Sequence, residues 1–313
     1  MRIAFVGKGG SGKTTVSSLF IRRLAETGRQ VVAIDADINQ HLGAALGLHD
    51  DDIRSLPTLG YNLDDIKRYL KGDNERIESL DLFLKSTPPA RGSRLLRAGE
   101  PNPIFDTYST VVKGVRLMST GLYDEQDIGV RCYHGKQGSA EIVLNHLLDG
   151  EDEFVAVDLT AGADSFASGI FLKFDMTFLI AEPTTKSLGV YDQYKQYAAS
   201  HNIAVRVIGN KVEDEDDEQF IRQHVGDDYF GTMGRSRYVK QMERGEILPL
   251  GELEPANLRT LDDMIAYAQR ATRDWKTYHK NSIRIHTKKA EQESDAVKRT
   301  KLLQQIDEQF IYE

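Results

Sequence analysis

Glycines, lysines and hydroxyl side chains are concentrated in one short segment near the start of the chain, GKGGSGKTT. The pattern G-x-x-x-x-G-K-[ST] is met there by Gly7, Gly12, Lys13 and Thr14. Glycines permit positive φ angles and let backbone amides approach phosphate closely. A lysine at this spacing can reach the β- and γ-phosphates of a nucleoside triphosphate, and a threonine hydroxyl can coordinate Mg²⁺. The segment therefore predicts a phosphate-binding loop.

The segments on either side of this loop supply the structural context that the motif requires. IAFV before it predicts a buried strand, and apolar residues at helical spacing from Val16 to Leu24 predict a helix after it. The N-terminus of that helix adds partial positive charge beside the phosphates. A glycine-rich turn without a ligand is the alternative. The residues predicted to contact the nucleotide here are Gly7, Lys8, Gly9, Gly10, Ser11, Gly12, Lys13, Thr14 and Thr15.

Two carboxylates follow the next apolar run, residues 31–34, in the sequence Asp35-Ala36-Asp37. Strand, helix and strand at this spacing form a βαβ unit with parallel strands and a right-handed crossover. Both aspartates are therefore expected at the carboxyl edge of the sheet, beside the loop. One can organise Mg²⁺ through water, and the other can polarise the water that attacks the γ-phosphate. The alternative is that Asp37 caps a short helix over residues 41–46.

Two further strand ends carry candidate site residues. Residues 154–157 form an apolar run that ends in Asp158, and Gly162 follows. A glycine after such an acid can turn a peptide toward the γ-phosphate, although an ordinary turn is the alternative. Asn210 and Lys211 follow a later strand, and an asparagine there can pair its amide with the N6 and N7 edge of adenine. The predicted Mg²⁺ ligands, partly through water, are Thr14, Asp35 and Asp158.

The composition restricts the class of protein. A formal net charge of −8 argues against broad binding to nucleic acid or to an anionic membrane, although a local basic patch stays open. No segment has the apolar length of a membrane span, and the chain enters a strand at once, without a signal-peptide pattern. A single cysteine excludes an internal disulfide framework and fits a reducing compartment. We therefore expect a cytoplasmic protein.

Apolar runs that alternate with helical segments predict an α/β fold with a doubly wound, mostly parallel sheet flanked by helices, as in P-loop NTPases. Residues 1–281 are expected to form the ATPase domain, with residues 49–114 inserted as a lid or partner surface over the active face. One long amphipathic helix is predicted over residues 256–278. The strongly polar residues 282–313 are expected to form a separate, mobile helix that a partner uses, or to have no role.

The loop sequence K-G-G-x-G-K-T-T, from Lys8 to Thr15, resembles that of the deviant Walker ATPases. This group includes the ParA and MinD partition proteins and the CooC-type maturation ATPases. The resemblance implies an ATP-bound homodimer in which Lys8 reaches the nucleotide of the other subunit. It also implies that Asp37 activates the attacking water, although Ile38 stands where these proteins usually have proline. Without the resemblance, Lys8 could be a solvated loop cation.

The resemblance extends to the later segments. Asp158 and Gly162 fit the family's D-x-x-A-G, which assigns Asp158 to Mg²⁺. The Asn210-Lys211 pair would recognise the base, and Pro249 would pass near the adenine. ATP and Mg²⁺ are therefore the expected substrate and cofactor. The predicted catalytic residues are Lys8, Lys13 and Asp37.

Cys132 and His134, two positions apart ahead of a predicted helix, could both face one metal ion, and a symmetric dimer would supply a Cys₂His₂ set. Apolar packing of Cys132 and local capping by His134 are the alternatives. The order of a long insertion, N-P before a G-V-R-L-M strand, and C-x-H before a helix resembles the CooC-type ATPases. Those carry C-x-C at this place and assist nickel insertion into carbon monoxide dehydrogenase. Zinc or nickel at the dimer interface is therefore a further prediction.

Two functions follow from this resemblance. The first is an ATP-dependent dimeric switch that serves metallocentre assembly or maturation of a client protein or metalloenzyme. The second is a positioning or regulatory ATPase of the ParA/MinD type, which acts on DNA, a membrane or a signalling partner. The acidic net charge and a tail without a clear apolar face argue against the second function, including its nucleic-acid form.

Overall fold

An eight-stranded sheet forms the centre of the computed structural model, which describes residues 1–122, 133–160, 169–199, 201, 203–271 and 273–312. In chain order the strands are β1 (Arg2–Gly7), β2 (Gln30–Ala36), β3 (Leu96–Arg97), β4 (Thr110–Val112), β5 (Val115–Ser119), β6 (Leu147–Leu148), β7 (Glu153–Leu159), β8 (Met176–Ala181), β9 (Ala204–Val212) and β10 (Tyr229–Gly234). Their spatial order in the main sheet is β10-β9-β8-β1-β7-β2-β5-β4, and β3 pairs with β6 separately.

All pairings within the main sheet are parallel except that of β4 with β5 at one edge. The order reverses around β1, which lies between β7 and β8, so the sheet is doubly wound as predicted. Asp35 on β2 is the register partner of Asp158 on β7. The carboxyl ends of β1, β2, β7 and β9 consequently meet at one edge, where the candidate site residues were expected.

Helices cover both faces of the sheet, as parallel strands require. They are α1 (Lys13–Glu26), α2 (Leu42–Leu46), α3 (Asp50–Ser55), α4 (Leu63–Lys71), α5 (Pro103–Tyr108), α6 (Tyr133–His146), α7 (Thr185–Ala199), α8 (Glu215–Val225), α9 (Arg237–Met242), α10 (Pro255–Ala268), α11 (Trp275–Glu291) and α12 (Ala296–Gln304). One face packs on α1 and α10, with Phe5, Phe20 and Phe178 in mutual contact. The other packs on α6, α7 and α8.

The segment over residues 49–114 does not act as a lid in this structure. Its apolar residues Ile66, Leu70, Phe83 and Phe105 are fully buried in the core on the α6 side of the sheet. Its last part supplies the edge strand β4, which was not predicted. These residues therefore belong to the core and not to an overlying lid, because their apolar side chains are buried. A partner surface formed by the exposed part of the segment stays a prediction.

The C-terminal segment also differs from expectation. The helix predicted over residues 256–278 is two helices, since α10 ends at Ala268 and α11 begins at Trp275. The expected boundary after residue 281 falls inside α11. Ser282 is fully buried and accepts a hydrogen bond from Lys173 Nζ at 2.8 Å. Residues 282–312 are therefore packed against the rest of the fold, and the expectation of a separate, mobile helix does not hold.

A buried ionic network connects the first strand to this C-terminal segment. Arg2 is fully buried, and its guanidinium donates to Asp149 Oδ1 at 2.9 Å and to the Tyr278 hydroxyl at 2.6 Å. Arg273 pairs with the same Asp149 and donates to Asp175 Oδ1 at 2.9 Å. Because every charge in the network has a partner of opposite sign, the desolvation of Arg2 is offset.

A second buried charge lies on α6. Both carboxylate oxygens of Glu141 are buried and make no hydrogen bond in the described part of the chain, with Lys85 Nζ the nearest cation at 3.8 Å. Burial raises the pKa of Glu141 to about 7, although the charges of Lys85 and Lys173 oppose the shift. The side chain therefore titrates near neutral pH in the folded protein.

Among the residues that the structure describes, no helix combines the length and the apolar character needed to cross a membrane.

Candidate nucleotide-binding site

The loop between β1 and α1 has the backbone conformation expected of a phosphate cradle. Gly10 and Gly12 have φ angles of 83° and 87°, a region that costs other residues energy. The Ser11 amide donates to the Lys8 carbonyl at 3.0 Å, and α1 begins at Lys13. A Cβ added at Gly9 or Gly10 would meet no atom within 4 Å. The loop therefore presents an open backbone surface in front of a helix N-terminus, which suits an anion.

Asn210 and Lys211 hold this loop from the end of β9. Asn210 Nδ2 donates to the Ser11 carbonyl at 2.7 Å, and a Cβ on Gly12 would overlap that amide. Lys211 Nζ donates to the Gly10 carbonyl at 2.6 Å and to Glu182 Oε1 at 2.6 Å. Both residues thus lie at the loop, as their place at a strand end indicates. Their recognition of the base stays a prediction.

Lys13 joins the two predicted catalytic and metal-binding carboxylates. Its Nζ donates to Asp37 Oδ2 at 2.7 Å and to Asp158 Oδ1 at 2.6 Å. Burial opposes the charged form of Lys13, but Asp158 and Asp37 outweigh it and raise the lysine pKa. Burial also acts against ionised Asp37, whereas Lys13 and the Asn39 amide lower its pKa overall. Asp37 is therefore an ionised carboxylate with a cation beside it.

Asp35 restrains the loop that follows β2. Its Oδ2 accepts from the Leu42 amide at 2.9 Å, and its Oδ1 accepts from the Asp37 amide at 3.3 Å. Burial raises the pKa of Asp35 to about 8, with the charge of Asp158 acting in the same direction. Both oxygens are occupied by backbone donors, so the side chain fixes the position of Asp37. Coordination of Mg²⁺ by Asp35 stays a prediction.

The donor set at the loop fits Mg²⁺. Asp158 is fully buried, and its Oδ2 has no hydrogen-bond partner within the part of the chain that the structure describes. Burial raises the pKa of Asp158, and Lys13 and the Thr14 hydroxyl offset part of that shift. A carboxylate oxygen and a hydroxyl are oxygen ligands of the kind that Mg²⁺ takes, usually with several waters. Thr14 and Asp158 are therefore the residues that would hold the ion.

A groove of about 500 Å³ extends from the loop toward β10. Its lining residues include Gly12 and Thr15 from the loop and α1, Asn210 from β9, and Met233 and Arg237. A pocket of this size, next to the phosphate loop, can hold a nucleoside. Pro249 is not among its lining residues, so its predicted position near the adenine gains no support.

Two residues outside the sequence predictions help to shape the site. Gln40 Nε2 donates to the carbonyls of Asp35 and Asp37, both at 3.1 Å, and the Ile38 amide donates to Thr160 Oγ1 at 3.1 Å. These bonds tie the loop after β2 to neighbouring strand ends. A glutamine or threonine in a loop gives no local signal for such a role.

Several predicted residues cannot be placed. Gly162 and Cys132 lie outside the described residues. The backbone of His134 lies in the first turn of α6, which begins at Tyr133, and not ahead of that helix as predicted. Among the residues that the structure describes, no group of three or more His, Cys, Asp or Glu could hold a metal ion. The zinc or nickel site therefore has no structural support and stays a prediction.

A glycine-rich cradle, a lysine between two strand-end carboxylates and a doubly wound parallel sheet define a P-loop nucleotide-binding protein. Residues 3–248 match the family described as CbiA, the CobQ/CobB/MinD/ParA nucleotide binding domain. The chain belongs to this family, and it has the fold of the MinD and ParA proteins. The predicted family and fold class are thus confirmed.

Individual relatives extend over most of the chain. The carbon monoxide dehydrogenase accessory protein CooC of Rhodospirillum rubrum is 26% identical over 259 residues, which cover 82% of this chain and 91% of that protein. An ATP-binding protein of Methanocaldococcus jannaschii is 26% identical over 252 residues, covering 79% and 89%. The cell division ATPase MinD of Pyrococcus furiosus has the same fold, with a TM-score of 0.55, 16% identity, and 85% and 98% of the two chains covered.

Proposed function

We propose that the protein is an ATP-dependent dimeric switch that hydrolyses ATP to ADP and phosphate and serves metallocentre assembly or the maturation of another protein. The observation that carries this proposal is the position of Lys13 between Asp37 and Asp158, at the open end of the phosphate loop. The three side chains belong to three elements that meet at this edge of the sheet. Such a charge cluster can respond to the presence or absence of one phosphate group.

Lys13 is expected to change partners when ATP binds. The γ-phosphate competes with Asp37 for the Lys13 ammonium, which lies 2.7 Å from the carboxylate in this structure. Once released, Asp37 can orient the attacking water and accept its proton. Mg²⁺ held by Thr14 and Asp158 would neutralise charge on the β- and γ-phosphates.

Lys8 supports the dimeric part of the proposal. It is half-buried at the rim of the loop, and its side chain makes no hydrogen bond or ion pair within the described part of the chain. A lysine without an internal partner is available to a phosphate on a second subunit. The loop resembles those of dimeric ATPases, and this resemblance is the reason to assign Lys8 to the nucleotide of a second subunit.

The maturation role rests on the relative from Rhodospirillum rubrum, whose name makes it an accessory protein of carbon monoxide dehydrogenase. The match to that protein covers 82% of this chain. A role as a helper of another protein is therefore the proposal that the comparison favours. A zinc or nickel ion held by Cys132 and His134 of two subunits remains a separate part of it.

Three variants separate binding, dimerisation and turnover. We expect Lys13→Ala to lose ATP binding, because the triphosphate loses its direct lysine contact. Asp37→Ala should bind ATP, lose hydrolysis by at least 100-fold and accumulate as a dimer. Lys8→Ala should bind ATP but no longer dimerise with it. ATP binding is measured by fluorescence of a labelled analogue, turnover by phosphate release, and dimerisation by sedimentation velocity.

Lys298→Ala is the matched control, because this lysine of α12 pairs with Glu293 and neither residue lines the groove beside the phosphate loop. It should behave as the wild type in all three measurements. Equal turnover in Asp37→Ala and the wild type would remove Asp37 from the reaction. An ATP-dependent dimer that persists in Lys8→Ala would remove the lysine from the interface.

A further inference from the structure

A second groove, of about 730 Å³, lies between α11 and residues 308–312 near the end of the chain. Aromatic rings form much of its wall: Trp275 stacks on Tyr312 with ring centroids 4.7 Å apart, and Phe310 meets Tyr312 edge-on at 5.2 Å. Ile283 adds an aliphatic surface, and Ile311 beside it is 68% exposed. The groove therefore exposes a concave apolar surface outside the nucleotide site.

Basic residues follow one edge of this groove. Lys276, Lys280, Arg284 and Lys288 recur at every fourth position of α11, so they form one stripe along the helix, and the first three line the groove. Glu308 is the only acidic residue among the described lining residues. Lys280 is exposed and has no ion pair within the described residues. The stripe is therefore a local basic surface on a chain whose formal net charge is −8.

We propose that this groove, which we name the aromatic groove, binds a linear segment of a partner protein that carries acidic side chains next to large apolar ones. The apolar walls would bury the large side chains of such a segment, and the stripe would pair with its carboxylates. Charge complementarity favours an acidic segment, because the basic stripe would repel a basic one. Concavity selects a linear segment, since the space accepts a few side chains and not a second folded face.

Hydrogen bonds to the rest of the fold hold both sides of the aromatic groove in place, as a preformed binding site requires. Tyr278, on the same helix, donates to the Leu144 carbonyl of α6 at 2.9 Å and accepts from buried Arg2. His279 bonds the Asp307 carbonyl at 2.7 Å, which fixes the segment on the opposite side of the groove. Binding would therefore cost little ordering of the protein itself.

A selection experiment on the full chain tests the proposal. Phage-displayed random dodecapeptides are selected on the wild-type protein, and enriched sequences are resynthesised with a fluorescent label for polarisation measurements. We expect the enriched peptides to contain an excess of Asp and Glu together with Phe, Trp, Leu or Ile. Their affinity should fall at least tenfold in Lys280→Glu and in Ile311→Asp, two exposed positions where folding is expected to tolerate change.

Lys298→Glu is the control for added negative charge elsewhere, and its affinity should equal that of the wild type. Circular dichroism of each variant checks that it is folded. The proposal is overturned if no peptide is enriched, if the enriched peptides have no excess of acid, or if Lys280→Glu and Lys298→Glu bind them equally.

Two further measurements distinguish other occupants. Sedimentation with vesicles of phosphatidylcholine and phosphatidylglycerol at 4:1 tests a lipid surface, and sedimentation velocity without nucleotide tests a second copy of the chain. We expect neither to depend on Lys280. Loss of vesicle binding or of self-association in Lys280→Glu would assign the stripe to a lipid or to a dimer instead and would overturn the proposal.

Discussion

Replacement of Lys13 by methionine should destabilise the nucleotide-free protein, and by more at high pH than at low pH. The substitution keeps the apolar stem but removes the ammonium that bonds Asp158 at 2.6 Å and Asp37 at 2.7 Å. Asp158 is fully buried, so it loses the one cation that pairs with it in the described part of the chain. Removal of one partner from a buried pair costs about 3–5 kcal/mol, and we expect a loss in this range at pH 8.

The pH dependence follows from Asp158. Burial already raises its folded pKa above that of the unfolded chain, and loss of Lys13 raises it further. An acid with a raised folded pKa loses stability as pH increases from the unfolded toward the folded pKa, because the unfolded state releases the proton first. Each unit of pKa shift is worth about 1.4 kcal/mol. The loss caused by Lys13→Met should therefore be smaller at pH 6 than at pH 8.

Urea unfolding at pH 6 and pH 8, without nucleotide, measures the effect. Lys8→Met in the same loop is the control and should stay within about 0.5 kcal/mol of the wild type, since the Lys8 side chain makes no hydrogen bond or ion pair with the described residues. Addition of Asp158→Asn to Lys13→Met should recover part of the stability, because the uncompensated charge is gone. The reasoning is refuted if Lys13→Met loses less than about 1 kcal/mol, or if its loss is equal at both pH values.

Two further predictions concern α6 and the segment before it. In urea unfolding, Glu141→Gln should gain stability relative to the wild type as the pH rises from 5 to 7. Burial raises the pKa of Glu141 to about 7 in the folded protein, so the wild type loses stability over this range as its unfolded state releases the proton first. A stability difference that does not change across that range would show that Glu141 does not titrate there. If Cys132 ligates a metal across the dimer, equilibrium dialysis with nucleotide should find Zn²⁺ bound at one ion per dimer in the wild type and not in Cys132→Ala, and equal binding by both would eliminate the site.

The sequence predicted the phosphate loop and the strands beside it well, because each is marked by a pattern of neighbouring residues. The phosphate loop needs glycines at fixed spacing, and the runs that end in Asp35 and Asp158 are almost wholly apolar, because parallel strands are buried on both faces. Chain order and the right-handed crossover then bring those acids to one edge. The sequence placed these acids beside the phosphate loop, but it did not predict that Lys13 pairs with both Asp37 and Asp158.

The remaining features depend on contacts between distant residues. Strand β10 contains two glycines in six residues, which weakens any local strand signal, and it forms because β9 offers a free edge. The role of Asp35 follows from backbone amides that approach only after the loop has folded. The sequence of the C-terminal segment is so polar that it predicts no packing. The segment packs because residues distant in the chain supply partners: Arg2 for Tyr278 and Asp175 for Arg273.

The place of β1 in the sheet has a consequence for folding during synthesis. β1 precedes the other strands of the sheet in the chain, and both of its neighbours, β7 and β8, lie more than 140 residues later. The phosphate loop therefore leaves the ribosome long before its strand can be paired, and the chain between must wait in a partly folded state. Such long-range parallel pairing is slow and exposes apolar segments. At a synthesis rate of about 5–20 residues per second, this wait lasts on the order of ten seconds or more, an interval in which a chaperone could act.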